Sequence, residues 1–289
     1  MAIREDPTVR ETSNPVFRSL PKQQGGYAQF GAGTAQMQPG YPAAGYAPYQ
    51  EGRARVSRPM TIDDVVTKTG ITLAVLTATA VISYVLTRLN PALGYPLALI
   101  GGLGGFALVM VAIFARKQDN PAIVLTYAAL EGLLLGAFSF VLANFSVGSA
   151  NAGALIGEAI LGTLGVFFGM LVVYKTGAIR VTPRFTRMLT AALIGVVVLM
   201  LGNWLLAMFH FGNGEGLGLR SAGLIGIIFS LVCIAIAAFS FLIDFDAADQ
   251  MIRAGAPDKA AWGVALGLTV TLVWLYMEIL RLLSYLQND

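Results

Sequence analysis

Four carboxylates stand inside apolar sequence: Glu131 in LTYAALEGLLLG, Glu158 in IGEAILG, Asp244 in LIDFD and Glu278 in WLYMEILRLLSYL. A charged side chain within a membrane helix costs about 2.5–3.5 kcal/mol on insertion scales, so each of these residues needs a reason. Glu131 follows Pro121 by ten residues, about 15 Å along a helix and near the middle of a bilayer. Asp244 closes an apolar run and is followed by Asp246 and Asp249. No central basic residue pairs with all four, although Arg116 can reach inward from the end of another run and Arg281 lies one turn beyond Glu278. Burial disfavours an ionised carboxyl, and a neighbouring carboxyl disfavours it further. A buried pair of acids would therefore hold a proton near neutral pH, titrate as a unit and exchange that proton for a cation. Carboxylate oxygens suit Ca²⁺.

Plainer roles exist for the same residues. Asp244, Asp246 and Asp249 are also what a chain leaving lipid carries at the interface, and DFDAADQM lacks the glycine and distal glutamate of a calcium loop. Glu131 and Glu158 also serve as neutral, hydrogen-bonded contacts between helices, and Glu278 can pair with Arg281 at i,i+3. An intramembrane hydrolase built on Asp244 and Asp246 is disfavoured, because an i,i+2 spacing puts the side chains about 200° apart on a helix. A single histidine (His210) and a single cysteine (Cys233) leave nothing for metal or disulfide chemistry built on clusters of those residues. His210 reads as an interfacial residue and Cys233 as a small apolar filler.

The elements that must position these acids are membrane spans. The 289 residues are 56% hydrophobic and 12% charged, with a mean hydropathy of +0.70. A soluble domain is about 25% charged. Seven stretches reach the length a span needs: 69–88, 94–115, 121–144, 152–174, 188–210, 220–243 and 260–286. Asn90-Pro91, Asn120-Pro121, Thr182-Pro183 and glycine-rich turns separate them. Glycines at 101, 102, 104 and 105, and again at 157, 162, 165 and 169, predict close helix contacts. The fold class is thus all-α, a seven-helix membrane domain over residues 60–289.

Residues 1–59 read as a disordered Gly/Tyr/Pro/Gln-rich cytoplasmic tail without a signal peptide, ending in the basic cluster Arg53, Arg55 and Arg58. Of the 19 Lys and Arg residues, only Arg88, Arg220 and Arg281 fall outside if the tail is inside. That bias predicts a cytoplasmic N-terminus and an outside C-terminus. A net charge of +3 gives no reason to expect nucleic acid; the partners expected are the lipid bilayer and calcium ions.

Together, LIDFD with Asp244, LYMEILRLLSYL with Glu278, Arg116-Lys117 after the second span, LTYAALEGLLLG and EAILGTLGVF resemble the Bax inhibitor-1 family. The likeness runs over most of residues 60–287 and is nearest to a bacterial branch with an extended tail. It implies a central seventh helix wrapped by six others, in the cell (plasma or inner) membrane. It also implies a pH-dependent calcium leak, with Asp244 and Glu278 sensing protons and Arg116 latching the inner mouth. No cofactor is implied beyond calcium as the transported or bound ion, and no enzymatic activity. Glu131, Glu158, Asp246 and Asp249 are then pore or structural acids.

Two departures stand out. The seventh-span acid is Glu rather than Asp, and 34 residues separate it from Asp244. A helix starting at Pro257 would carry Glu278 about 31 Å from its start, out of reach of Asp244. The two meet only if residues 255–266 form an interfacial or re-entrant piece. The alternative to conduction is a membrane interaction protein that modulates a membrane protease or a stress response through the tail.

Overall fold

A computed structural model describes residues 58–146, 152–210, 212 and 216–287. The expected tail therefore lies outside the described residues, apart from Arg58 and Pro59. The described residues form seven long helices and no strand: α1 (Ile62–Leu89), α2 (Gly94–Phe114), α3 (Pro121–Ser146), α4 (Ala152–Thr176), α5 (Pro183–Met208), α6 (Leu224–Arg253) and α7 (Ala261–Leu286). All seven are long and apolar enough to cross a bilayer, as the hydropathy predicted.

Several boundaries differ from the hydropathy reading, among them the start of α5 at Pro183 and of α6 at Leu224, and two of the differences involve acids. α1 starts seven residues earlier, at a capping box in which Thr61 and Asp64 satisfy each other's backbone N–H groups. Charged residues in that first turn hid it from hydropathy. α6 continues to Arg253, so Asp244, Asp246 and Asp249 ride on helix and do not mark an exit from it. Residues 255–266 are not re-entrant. One 3-10 turn at Asp258–Ala260 leads straight into α7 at Ala261.

α7 is the hub. It packs against α1, α3, α4 and α6, whereas α2 packs mainly on α3 and α5 on α6. Buried residues make up 61% of its apolar window and at most 50% of any other helix's. Thr269, Thr271, Glu278 and Ser284 are among its buried side chains, so the most enclosed helix is also polar inside. The main apolar cluster joins Leu268, Leu272, Leu275 and Leu280 of α7 to Leu155 of α4 and Phe241 of α6. Phe167, Phe241 and Phe245 meet edge-to-face and stacked across the α4–α6 seam.

At one end of the bundle, the Arg116 end, the N-terminal segment is tied to the α6–α7 turn. Met60 N–H donates to Ala256 O at 2.7 Å, Asp258 N–H to Arg58 O at 3.0 Å, and the Lys68 ammonium to Asp258 O. At the opposite, Leu286 end, the α5–α6 connection folds onto α7.

Close helix contact falls on only some of the glycines. A Cβ at Gly101 would stand 2.5 Å from Leu130 O, one at Gly132 within 2.4 Å of Leu76 O, and one at Gly136 within 2.1 Å of Ala80 O. These positions let α3 touch the backbones of α1 and α2. Gly157, Gly165 and Gly169 of α4 face open space instead, so the expectation of close contact there is corrected. Gly136→Ala is expected to destabilise the protein by about 1–3 kcal/mol through overpacking. Gly165→Ala should be neutral or stabilising, by at most about 1 kcal/mol, because it only raises helix propensity. Thermal unfolding of the two variants in detergent checks the contrast, and equal melting temperatures would refute this account of the α1–α3 seam.

Candidate functional site: two acids on the α6–α7 seam

The acids read from the sequence fall into separate settings. On α6, Asp244 faces α7 and its Oδ2 accepts a 2.8 Å hydrogen bond from the Thr271 hydroxyl. Gly267, one turn earlier on α7, leaves room for the carboxyl: a Cβ there would be 3.9 Å from Oδ1. Thr271 also donates to Gly267 O at 3.2 Å, so its hydroxyl lies between backbone and carboxylate.

Glu278 lies two turns further along α7, about 10 Å from Thr271 by helical rise. The structure does not bring it to Asp244, and the two are not a shared-proton pair. The reason is the one the spacing raised: α7 begins at Ala261 without a re-entrant detour, and so carries Glu278 toward the Leu286 end.

Glu278 has its own partners. Its carboxyl is 2% exposed, and Oε1 takes Arg281 Nη1 at 2.9 Å and Arg220 Nη1 at 3.3 Å. The first is the i,i+3 pair the sequence allowed. The second comes from the connection before α6 and was missed. In the sequence Arg220 is only a charge flanking a span, one that bears on orientation. Tyr285 fixes it further, donating a 2.8 Å hydrogen bond to Arg220 O. Arg281 lies over the Phe138 ring at 5.6 Å, a cation–π contact that ties α7 to α3. Among the described residues, Glu278 Oε2, Arg220 Nη1 and, on the facing helix α6, Ser230 Oγ are buried without hydrogen-bond partners, so Arg220 meets Glu278 as an ion pair only. Beside Arg220, a cavity of about 380 Å³ is lined by Met200, Asn203, Trp204 and Ser221.

The remaining acids divide between core, lipid face and bundle end. Glu131 on α3 is 8% exposed, close against Gly105 of α2, with Tyr127 one turn back as its polar neighbour. Glu158 is exposed and takes a 3.4 Å hydrogen bond from Gln287, so it stands at the periphery near the Leu286 end. Tyr174 of α4 reaches Asp246 at 3.5 Å and Asp249 at 3.4 Å. Gln250 and Arg253, each one turn on, complete those two acids at 2.6 and 2.7 Å. Asp244 and Asp246 thus point at different helices, as the two-residue spacing requires. Among the described residues no three His, Cys, Asp or Glu side chains converge to hold a metal.

Arg116 is exposed at the end of α2, with a left-handed backbone (φ 52°). Among the described residues it makes no ion pair, so the latch onto Asp244 or Glu278 is not formed in this state. The same turn is held by its neighbour: Asp119 binds Lys259 at 2.8 Å, clasping the α2–α3 turn to the start of α7. The hydrogen bond and charge of Lys259 hold the Asp119 carboxyl below the usual carboxylate range.

Apolar helices in this number define a multi-pass membrane protein whose innermost helix carries buried ionisable groups. Residues 14–288 match the family model described as Bax inhibitor 1 like. That is nearly the whole chain, and the protein belongs to this family. Comparison with curated proteins returns no match.

Two predictions follow from this geometry. Removing one partner of a buried ion pair commonly costs about 3–5 kcal/mol, and since Arg281 remains, Arg220→Ala should cost on the order of 2 kcal/mol. Combined with Glu278→Gln, the loss should fall short of the sum of the single losses; strictly additive melting shifts would rule out the contact. Asp119→Asn should cost less than about 1 kcal/mol, since both partners are partly exposed. A depressed folded-state carboxyl stabilises above its unfolded pKa, about 3.9, and ceases to do so as pH falls through its folded value. The Asp119→Asn difference should therefore be constant from pH 5 to 8, as unfolding measured across that range would reveal.

Proposed function

We propose that the protein is a pH-sensitive passive calcium or cation leak of the cell membrane, with its N-terminus cytoplasmic. The observation that carries this reading is the α6–α7 seam. Two carboxyls occupy it at separate levels, Asp244 of α6 against Thr271, and Glu278 of α7, the most enclosed helix of the bundle, beneath two arginines. Ionisable groups facing a bundle interior are the usual marks of an ion or proton pathway. Membership of the Bax inhibitor-1 family supports it.

In this mechanism Asp244 is the proton-responsive group nearer the cytoplasm. Its carboxyl, once free of Thr271, offers a hydrogen-bond acceptor to a proton or a negative oxygen to a cation. Glu278 is the acid of the outer half, held by Arg220 and Arg281, whose positive charges repel a cation while the clamp is closed. Passage then requires the Arg220 connection to withdraw. The two acids act in series and do not share one proton. Arg116 serves as a latch only in a state with the α2–α3 turn moved. The reading includes no catalytic turnover and no resident cofactor, calcium being the cargo.

⁴⁵Ca²⁺ uptake into proteoliposomes at pH 6, 7 and 8 tests the proposal. Wild-type protein should give pH-dependent flux, Asp244→Asn should flatten the pH profile, and Arg220→Ala should raise flux at every pH. Folded protein without flux above empty liposomes would sink conduction and favour a membrane interaction protein acting on a protease or stress pathway.

A further inference from the structure

A second cavity, of about 510 Å³, lies away from the α6–α7 seam. Its floor comes from α3 (buried Leu135, Gly136 and Ser139) and α7 (buried Leu272 and Val273, half-buried Tyr276). Its rims are α1 and α4, which do not pack along each other. Val81 on the first rim is 57% exposed and Ile160 on the second 46%, so the cavity opens sideways between the two helices. The lining runs from residue 73 to 84 on α1 and from 153 to 164 on α4, about 16 Å on each wall. Among the described residues no charged side chain lines it. On its floor the hydroxyls of Ser139 and Tyr276 bond to each other at 2.8 Å, and the Thr163 hydroxyl is taken by Ala159 O.

The lining favours an apolar occupant. Water needs two to four polar partners in a cavity; of the five lining hydroxyls Ser139, Tyr276 and Thr163 are already paired, and apart from Thr77 and Tyr84 the remaining lining is apolar. An unfilled groove would forfeit dispersion contacts along its whole lining. The rims continue into the apolar outer faces of α1 and α4, where Ile82, Val85 and Leu161 are exposed at the same depth. A helix long and apolar enough to span the membrane presents such a face to hydrocarbon, so the groove mouth opens onto lipid chains.

We infer that this groove is a binding site for one acyl chain of a membrane phospholipid, which enters between α1 and α4 and rests on the Ser139–Tyr276 bridge. The bound chain completes the packing of α4 against α1 and α3, which the protein's own side chains leave unfinished. The walls recognise the alkyl chain and not the headgroup, so occupancy is insensitive to headgroup charge. The inference is independent of ion conduction.

Photo-crosslinking tests it. Wild-type protein is reconstituted in vesicles of phosphatidylcholine carrying a diazirine midway along one chain, irradiated, and mapped by peptide mass spectrometry. Labels are expected on the floor residues Leu135 and Tyr276 as well as on the exposed Val81 and Ile160. Ala80→Phe, which fills the groove, should cut floor labelling at least tenfold and leave the rim labelled; Thr163→Met is a second filling variant should the first fail to fold. Vesicles containing phosphatidylglycerol with the same labelled chain should give the same floor pattern. Labelling confined to the rims and other lipid-facing helices in wild-type protein would overturn the site. So would floor labelling that survives both filled variants, or that depends on the headgroup.

Discussion

The structure turns on the cost of polar groups in hydrocarbon. A carboxyl in the bilayer core has no water to turn to, so the chain must bring its partners to it. Glu278 is the severest case, 2% exposed and met by two guanidinium groups, one from its own helix and one from a connecting segment. A helix with Thr269, Thr271, Glu278 and Ser284 on its buried faces cannot lie at the edge of the bundle. It has to be surrounded. That requirement places α7 among α1, α3, α4 and α6, and leaves the more uniformly apolar α2 and α5 outside.

Glycine makes the enclosure tight on one side and loose on the other. Gly132 and Gly136 allow α3 to lie against the backbone of α1, and Gly101 against it from α2, so these three helices form a dense unit. α4 carries as many small residues, but most face away from the protein, and no glycine seam draws it onto α1. Its hold on the core is aromatic and aliphatic, through Phe167 against α6 and Leu155 in the main cluster. The open groove between α1 and α4 is the geometric consequence of that asymmetry.

Much of this was legible in the sequence. Span number and the separations between spans follow from hydropathy and from Pro and Gly punctuation, because transfer of apolar residues dominates insertion. Helix ends were less legible where charged residues continue a helix past the lipid, as at Asp64 and from Asp244 to Arg253. Which glycines touch a neighbour was not legible, since a small residue permits contact on any face and the sequence does not say which face is covered. The i,i+3 pair of Glu278 with Arg281 was readable because it is local. Arg220, 58 positions from Glu278, was not, and no periodicity links a connecting residue to a position about five turns into another helix. The matched stretch also begins at residue 14, so the family pattern extends into a segment that composition alone marked as a tail.

The 34-residue spacing between Asp244 and Glu278 held the most information of any sequence feature, because it set two expectations against each other. A shared proton required α7 to begin late; a continuous α7 required each acid to find its own partner. The helix is continuous, and Thr271 occupies the position across from Asp244 where a second carboxyl would have made a pair. A hydroxyl there can donate to the ionised acid or accept from the protonated one, so it accommodates either state without a second charge to repel. At Glu278 the opposite choice is made. Two guanidinium groups meet the carboxyl, one from its own helix and one from the connection before α6. The seam therefore joins one carboxyl met by a neutral hydroxyl to another that two guanidinium groups meet, one of them tying a connecting segment to the central helix.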